Sequence, residues 1–197
     1  HKPAGGTLDI SGVPALGSAD APLVIIEFAS YECGYCRRHL LKTMPTLKQA
    51  YIDSDSVLYV FYDFAPDSRH LYARQAAAAA YCAAEQDQYW AFRNRLFRNQ
   101  KALHPDLLAE HADAVGLDPG AYRSCIERDE YGERSNSDRD LSRKLRIRGT
   151  PTFFIGKPTG KGREVTLLRR LSGAQSFEQF AQRIDALNDS ATTVGLR

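Results

Sequence analysis

The stretch "SYECGYCRRHL", Ser30 to Leu40, places two cysteines, Cys33 and Cys36, directly after the apolar run "PLVIIEF" (Pro22–Phe28). That run has strand length and a β-branched centre, which predicts a buried strand. Leu40, Leu41, Met44, Leu47 and Ala50 then recur at helical spacing, so Cys33 opens a helix. Pro45 lies inside that helix, where it removes an amide donor and crowds the preceding turn, and a kink is expected there. A cysteine pair in this setting can ligate a metal, tie a fixed staple or pass electrons. A zinc site needs four ligands; Cys82 and Cys125 stand far apart without a Cys-x-x-Cys of their own, and His39 brings no second ligand pair. A staple across so short a loop gains little chain entropy. At a helix N-terminus, by contrast, unsatisfied amides and the dipole favour negative charge and bring a thiol to roughly 3.5–7.5. Redox use is the favoured reading, with Cys33 as the attacking and leaving sulfur and Cys36 as the resolving one.

The surrounding chain has 197 residues, enough for one large domain or a small domain with an insert. With 43% hydrophobic residues it can bury an ordinary core, and a net charge of +2 argues against a nucleic-acid binder. The longest apolar run, Ala21–Ala29, is interrupted by Glu27 and is too short for a membrane span. The first residue is His1, so the chain reads as a processed form from which any signal peptide is gone.

Residues 1–20, rich in Gly, Pro and Ser, read as an N-terminal arm. "VLYVFYD" (57–63) is a second strand. From Leu71 to Arg146 the pattern is helical, with an alanine-rich helix whose small face admits a close neighbour. Pro105 and Pro119 mark first turns, Asp118 a cap and Gly116 a helix end. "TPTFFIG" (150–156) and "EVTLLRRLSG" (164–173) then read as a hairpin, and Ser176 with Gln179 as the capping box of a last helix. The fold class is α/β, with a helical block inserted into a small sheet domain. The expected boundaries are 21–64 and 147–190 for the sheet domain, 65–146 for the insert and 191–197 for a tail.

"IEFASYECGYCRRH" together with "IRGTPTFFIG" resembles the DsbA-like branch of the thioredoxin superfamily, over residues 20 to 188. The resemblance implies a thioredoxin fold carrying an inserted helical domain, and a thiol-disulfide oxidoreductase that needs no cofactor or metal. It implies that Pro151 is cis beside the Cys33 sulfur, and that Thr150 and Pro151, with Gly34 and Tyr35, meet an extended substrate. It also implies reduced or unfolded secreted proteins as substrates and a membrane redox partner. The expected location is the periplasm, or another extracytoplasmic bacterial compartment, and the expected state is a monomer. Glu27 falls where the family carries a buried acidic residue, which would move a proton to or from Cys36. The plainer alternative is an edge carboxylate paired with a lysine. In such an oxidoreductase, Cys82 and Cys125 are expected to form a structural disulfide; two buried free thiols are the alternative.

Two departures bear on direction. Strongly oxidising members carry Pro-His between their cysteines, whereas this chain has Gly34-Tyr35, and Glu32 before Cys33 would oppose a thiolate. A milder oxidant is therefore expected. Gly-Tyr with Thr before the proline also resembles the isomerase and reductase branches (DsbC-like or ScsC-like), and a copper- or zinc-handling protein is the non-enzymatic alternative. Elsewhere, Arg143, Lys144, Arg146 and Arg148 read as a solvated basic face and His104 and His111 as surface residues. His39 and His70 are candidates to flank the active-site face; Tyr62, Trp90, Phe92 and Phe97 read as core, and Phe64 with Tyr35 as groove.

Overall fold

A computed structural model of the chain describes residues 5–64 and 70–194, with the side chains of 132, 133, 135 and 189–194 left undescribed. The first four residues of the expected arm, the first five of the expected insert and the last three of the expected tail lie outside the described residues. The chain divides into two compact units, one of His1–Glu27, Arg38–Phe61 and Thr152–Arg197, the other of Phe28–Arg37 and Tyr62–Pro151.

The first unit is built on a six-stranded sheet of β1 (Thr7–Asp9), β2 (Ala15–Leu16), β3 (Leu23–Ala29), β4 (Val57–Asp63), β5 (Thr152–Pro158) and β6 (Glu164–Ser172). The order is β1-β6-β5-β3-β4-β2, and the last residues of β3 and β4 are counted with the second unit. Every residue of β3 and β4 is buried, which is why both read as apolar runs rather than as alternating patterns. The segment read as an arm supplies both edges of the sheet. β1 pairs with β6 and β2 with β4, both antiparallel. Strands of two and three residues are too short to show a periodicity, and here they form by adding to an edge that already exists.

β5 and β6 make the antiparallel hairpin, Thr152 opposite Ser172, with an irregularity at Ile155/Gly156. A side chain at Gly156 would collide with the Thr166 carbonyl and the Val165 side chain, so the strands close tightly there only with glycine. The helix after Cys33 carries wide turns in place of a single kink. α1 (Gly34–Arg38) passes into a π-helical stretch, His39–Thr43, then α2 (Met44–Leu47) with Pro45, then a second π-helical stretch, Lys48–Ile52. π turns bracket the residue that cannot donate. His39 is only 1% exposed and packs against Tyr59, Phe153 and Phe180, so it is a core residue of the first unit.

The second unit contains α3 (Ala73–Ala84), α4 (Tyr89–Arg98), α5 (Pro105–Ala114), α6 (Pro119–Arg128) and α7 (Tyr131–Lys144). The alanine-rich α3 is its centre, with Ala76, Ala77, Ala79, Ala80 and Ala83 buried and all four other helices packed on it. Asp118 Oδ1 accepts from the Ala121 amide at 2.7 Å and caps α6. Cys82 on α3 and Cys125 on α6 are joined by a disulfide with Cα atoms 5.7 Å apart. His111 is buried, contrary to its reading as a surface residue. Its Nδ1 accepts from Arg95 Nε at 3.0 Å and its Nε2 lies 2.9 Å from the Ala102 carbonyl. Those two long-range polar partners, which helical spacing does not show, are what let it sit inside.

The first unit ends in α8 (Phe177–Val194), opened by the Ser176–Gln179 box: each residue's side chain accepts from the other's amide. Among the described residues, no helix is long and apolar enough to cross a membrane.

Candidate active site

β3 delivers the chain into a turn in which the Cys33 amide donates to the Ser30 carbonyl at 3.0 Å, and the Arg37 amide then bonds the Cys33 carbonyl at 3.1 Å to start α1. The Cys36 amide donates to Cys33 Sγ at 3.4 Å. Cys33 is 8% exposed and Cys36 only 1%, an asymmetry that lets an outside sulfur reach the first cysteine and not the second. Both stand as thiols. The Thr150–Pro151 peptide is cis, and the Cys33 thiol donates to the Thr150 carbonyl at 3.3 Å. Cys33, Cys36, Thr150 and Pro151, far apart in sequence, thus meet within the second unit.

A hydrogen bond from the Cys36 thiol is the main cause that brings Cys33 from the ordinary 9.0 down to about 5. The Thr150 side chain and the amides of Cys36 and Tyr35 add to it, while burial works against it. At neutral pH the thiolate is then the predominant form. Among the described residues, no three or more His, Cys, Asp or Glu side chains converge as a metal site. Tyr35 is 63% exposed beside this sulfur, and Gly34 is open to solvent, with no atom within 4 Å of where its Cβ would stand.

Glu27 belongs to the first unit, wholly buried on β3 between β5 and β4, where Tyr59 Oη donates to its Oε2 at 2.7 Å. It is therefore no edge carboxylate. Tyr59 Oη is also 3.2 Å from His39 Nε2, so the three form one buried polar group.

The structure gives Glu32 and His70 partners that the sequence does not show, and it adds Gln100. Glu32, expected only to oppose the thiolate, accepts from the amides of Tyr72 and Ala73 at 2.8 Å each, at the N-terminus of α3. The available signal was the start of α3 at "LYA", which has no Ser, Thr, Asp or Asn to cap it. His70 Nδ1 bonds Ser30 Oγ at 2.7 Å, which keeps it at the redox loop. Gln100 Nε2 donates to the carbonyls of Tyr31 at 2.6 Å and Cys33 at 2.9 Å, a role no local pattern announces.

This constellation agrees with a family model described as Thioredoxin, which matches residues 11–186. The chain belongs to the thioredoxin family. Disulfide bond formation protein D of Bacillus subtilis is 25% identical over 76% of this chain and 70% of its own length. Wolbachia pipientis alpha-DsbA1 is 27% identical in its crystal structure, with a TM-score of 0.82, covering 96% of this chain and 97% of that one. The chain is thus a DsbA-like member of the superfamily's oxidoreductases, with a helical domain inserted in the thioredoxin fold. A Na(+)/H(+) antiporter, NhaA 3 of Salinispora tropica, is 32% identical over 71% of this chain. The chain spans only 21% of that protein's length, and its named activity is not carried over.

Proposed function

We propose that this DsbA-like oxidoreductase forms disulfides in reduced or unfolded proteins outside the cytoplasm, acting as a monomer through Cys33 and Cys36. A substrate thiolate attacks Cys33 Sγ of the oxidised pair; the Cys33–Cys36 bond breaks and Cys36 leaves with its electrons and takes up a proton. A second substrate thiolate attacks the substrate sulfur of the mixed disulfide and expels Cys33 as a thiolate. The substrate has lost two electrons and two protons, and the dithiol has gained the electrons. A membrane redox partner accepts them to restore the disulfide. Gly34, Tyr35, Thr150 and Pro151 meet the substrate chain around the Cys33 sulfur, and Glu27 moves the proton of Cys36.

The observation that carries this direction is the set of donors on Cys33 Sγ, the Cys36 thiol and the Cys36 amide at 3.4 Å among them, which brings the Cys33 thiol down to about 5. A stabilised thiolate favours the reduced pair, which makes the disulfide a better oxidant and Cys33 a better leaving group. Full burial and the Tyr59 hydrogen bond support the role of Glu27. Isomerase or reductase work is the second reading, favoured by Gly-Tyr between the cysteines and Thr150 before Pro151. The test is oxidative refolding of reduced, unfolded ribonuclease in a glutathione buffer. Acceleration by the wild type, with a Cys33-linked mixed disulfide accumulating in Cys36→Ala, is expected; a rate equal to the buffer alone overturns the reading.

A further inference from the structure

Each residue from Ser30 to Cys33 is tied to the Tyr62–Pro151 part of its own unit, and the ties alternate. Ser30 and Glu32 reach it through side chains, to His70 and to the amides of Tyr72 and Ala73. Tyr31 and Cys33 reach it through their carbonyls, both held by the one Gln100 amide nitrogen. That nitrogen has two hydrogens and spends both on the loop. Gln100 is itself placed by the end of α4, where Asn99 Nδ2 bonds the Arg95 carbonyl at 2.8 Å and the Ala102 amide the Asn99 carbonyl at 2.8 Å. The Cys33 carbonyl, between the Gln100 amide and the Arg37 amide that begins α1, uses both its lone pairs.

We propose that Gln100 and Glu32 are positioning residues: together they clamp the Tyr31–Cys33 backbone to the α3 and α4 ends of the same unit and hold the Cys33 sulfur where its donors converge. This rests on the thiol-disulfide reading of the dithiol. The Cys36 amide is 3.4 Å from the sulfur, a contact that a small loop displacement removes. Glu32 fits the same device. Its carboxylate spends its charge on the first amides of α3, which makes two charge-assisted bonds.

The test is the Cys33 titration of the reduced protein, followed by thiolate absorbance near 240 nm, with the glutathione equilibrium constant measured alongside. Gln100→Leu and Glu32→Ala are each expected to raise the Cys33 pKa by about one unit, a roughly tenfold loss of thiolate on the acid side of the transition. The sign in Glu32→Ala is decisive, because loss of a nearby negative charge alone lowers that pKa. Glu32→Gln keeps an acceptor and is expected to recover most of the effect. Gln100→Met serves if the leucine variant does not fold. An unchanged titration in the Gln100 variant, or a fall in Glu32→Ala, overturns the clamp while wild-type exchange with glutathione stays intact. A wild type that does not exchange overturns the thiol-disulfide reading itself.

Discussion

The reduced and oxidised forms of this protein are expected to differ in stability by an amount that grows with pH. The perturbation is pH alone, and the group is the Cys33 thiol, held at about 5 in the fold against an ordinary 9.0. Because the folded value is the lower one, the folded reduced state binds fewer protons than its unfolded chain between pH 5 and 9. Its stabilisation is complete above pH 9 and is lost as pH falls through 5. At 1.36 kcal/mol per unit the four-unit gap sets a ceiling of about 5 kcal/mol. Cys33 opens to solvent on one side, so screening brings the expected swing to about 2–3 kcal/mol. The oxidised form has no thiol there and contributes no such slope. The assay is urea unfolding of both forms at several pH values from 4.5 to 9, with reduction mild enough to spare the buried Cys82–Cys125 bridge. The difference, reduced minus oxidised, should rise with pH, and Cys33→Ser, which has neither the Cys33 thiol nor the Cys33–Cys36 disulfide, should lack the pH slope of the reduced wild type. A difference that stays level across the window refutes the reasoning, because a thiol of ordinary pKa gives no slope there.

Three further outcomes are expected. The Cys82–Cys125 bridge closes a separation of 43 residues, so Cys82→Ala with Cys125→Ala should lower stability by about 4 kcal/mol from loop entropy. Calorimetry and urea midpoints check this, and a loss below about 1 kcal/mol contradicts it. Tyr59→Phe removes the donor to the buried Glu27 carboxyl and should cost about 1.5–3 kcal/mol in denaturant unfolding. Tyr35 is 63% exposed, so Tyr35→His places a cation near the Cys33 sulfur without disturbing the core and should lower the Cys33 titration midpoint further, by about one unit, with a matching shift toward the reduced form in glutathione.

The parts of the fold legible in the sequence are those whose pattern is local. "PLVIIEF" announces β3 because central strands buried on both faces need unbroken apolar runs, and Asp118-Pro119 and Ser176–Gln179 announce helix starts because capping is settled within four residues. The cysteine pair could be placed on the same grounds, since strand and helix flank it directly. What stayed hidden depends on distant partners. β1 and β2 exist only by pairing with β6 and β4, and His111 is buried only because Arg95 and Ala102 meet its ring. Glu32 was read by its charge and its neighbour in sequence, whereas its carboxylate is committed to α3, some forty residues away. Gln100 carries no motif at all; only the fold shows it at the Tyr31 and Cys33 carbonyls.

The proposed function requires Cys33 and Cys36 to form a reversible redox pair with an oxidising poise. Equilibration in glutathione buffers of graded ratio, followed by acid quench, thiol alkylation and peptide mass spectrometry, tests it directly. One two-electron transition confined to Cys33 and Cys36 is expected, at a more oxidising ratio than a dithiol of unperturbed pKa, with Cys82–Cys125 closed throughout. A pair that stays reduced at every ratio, or one as hard to reduce as a structural disulfide, contradicts it.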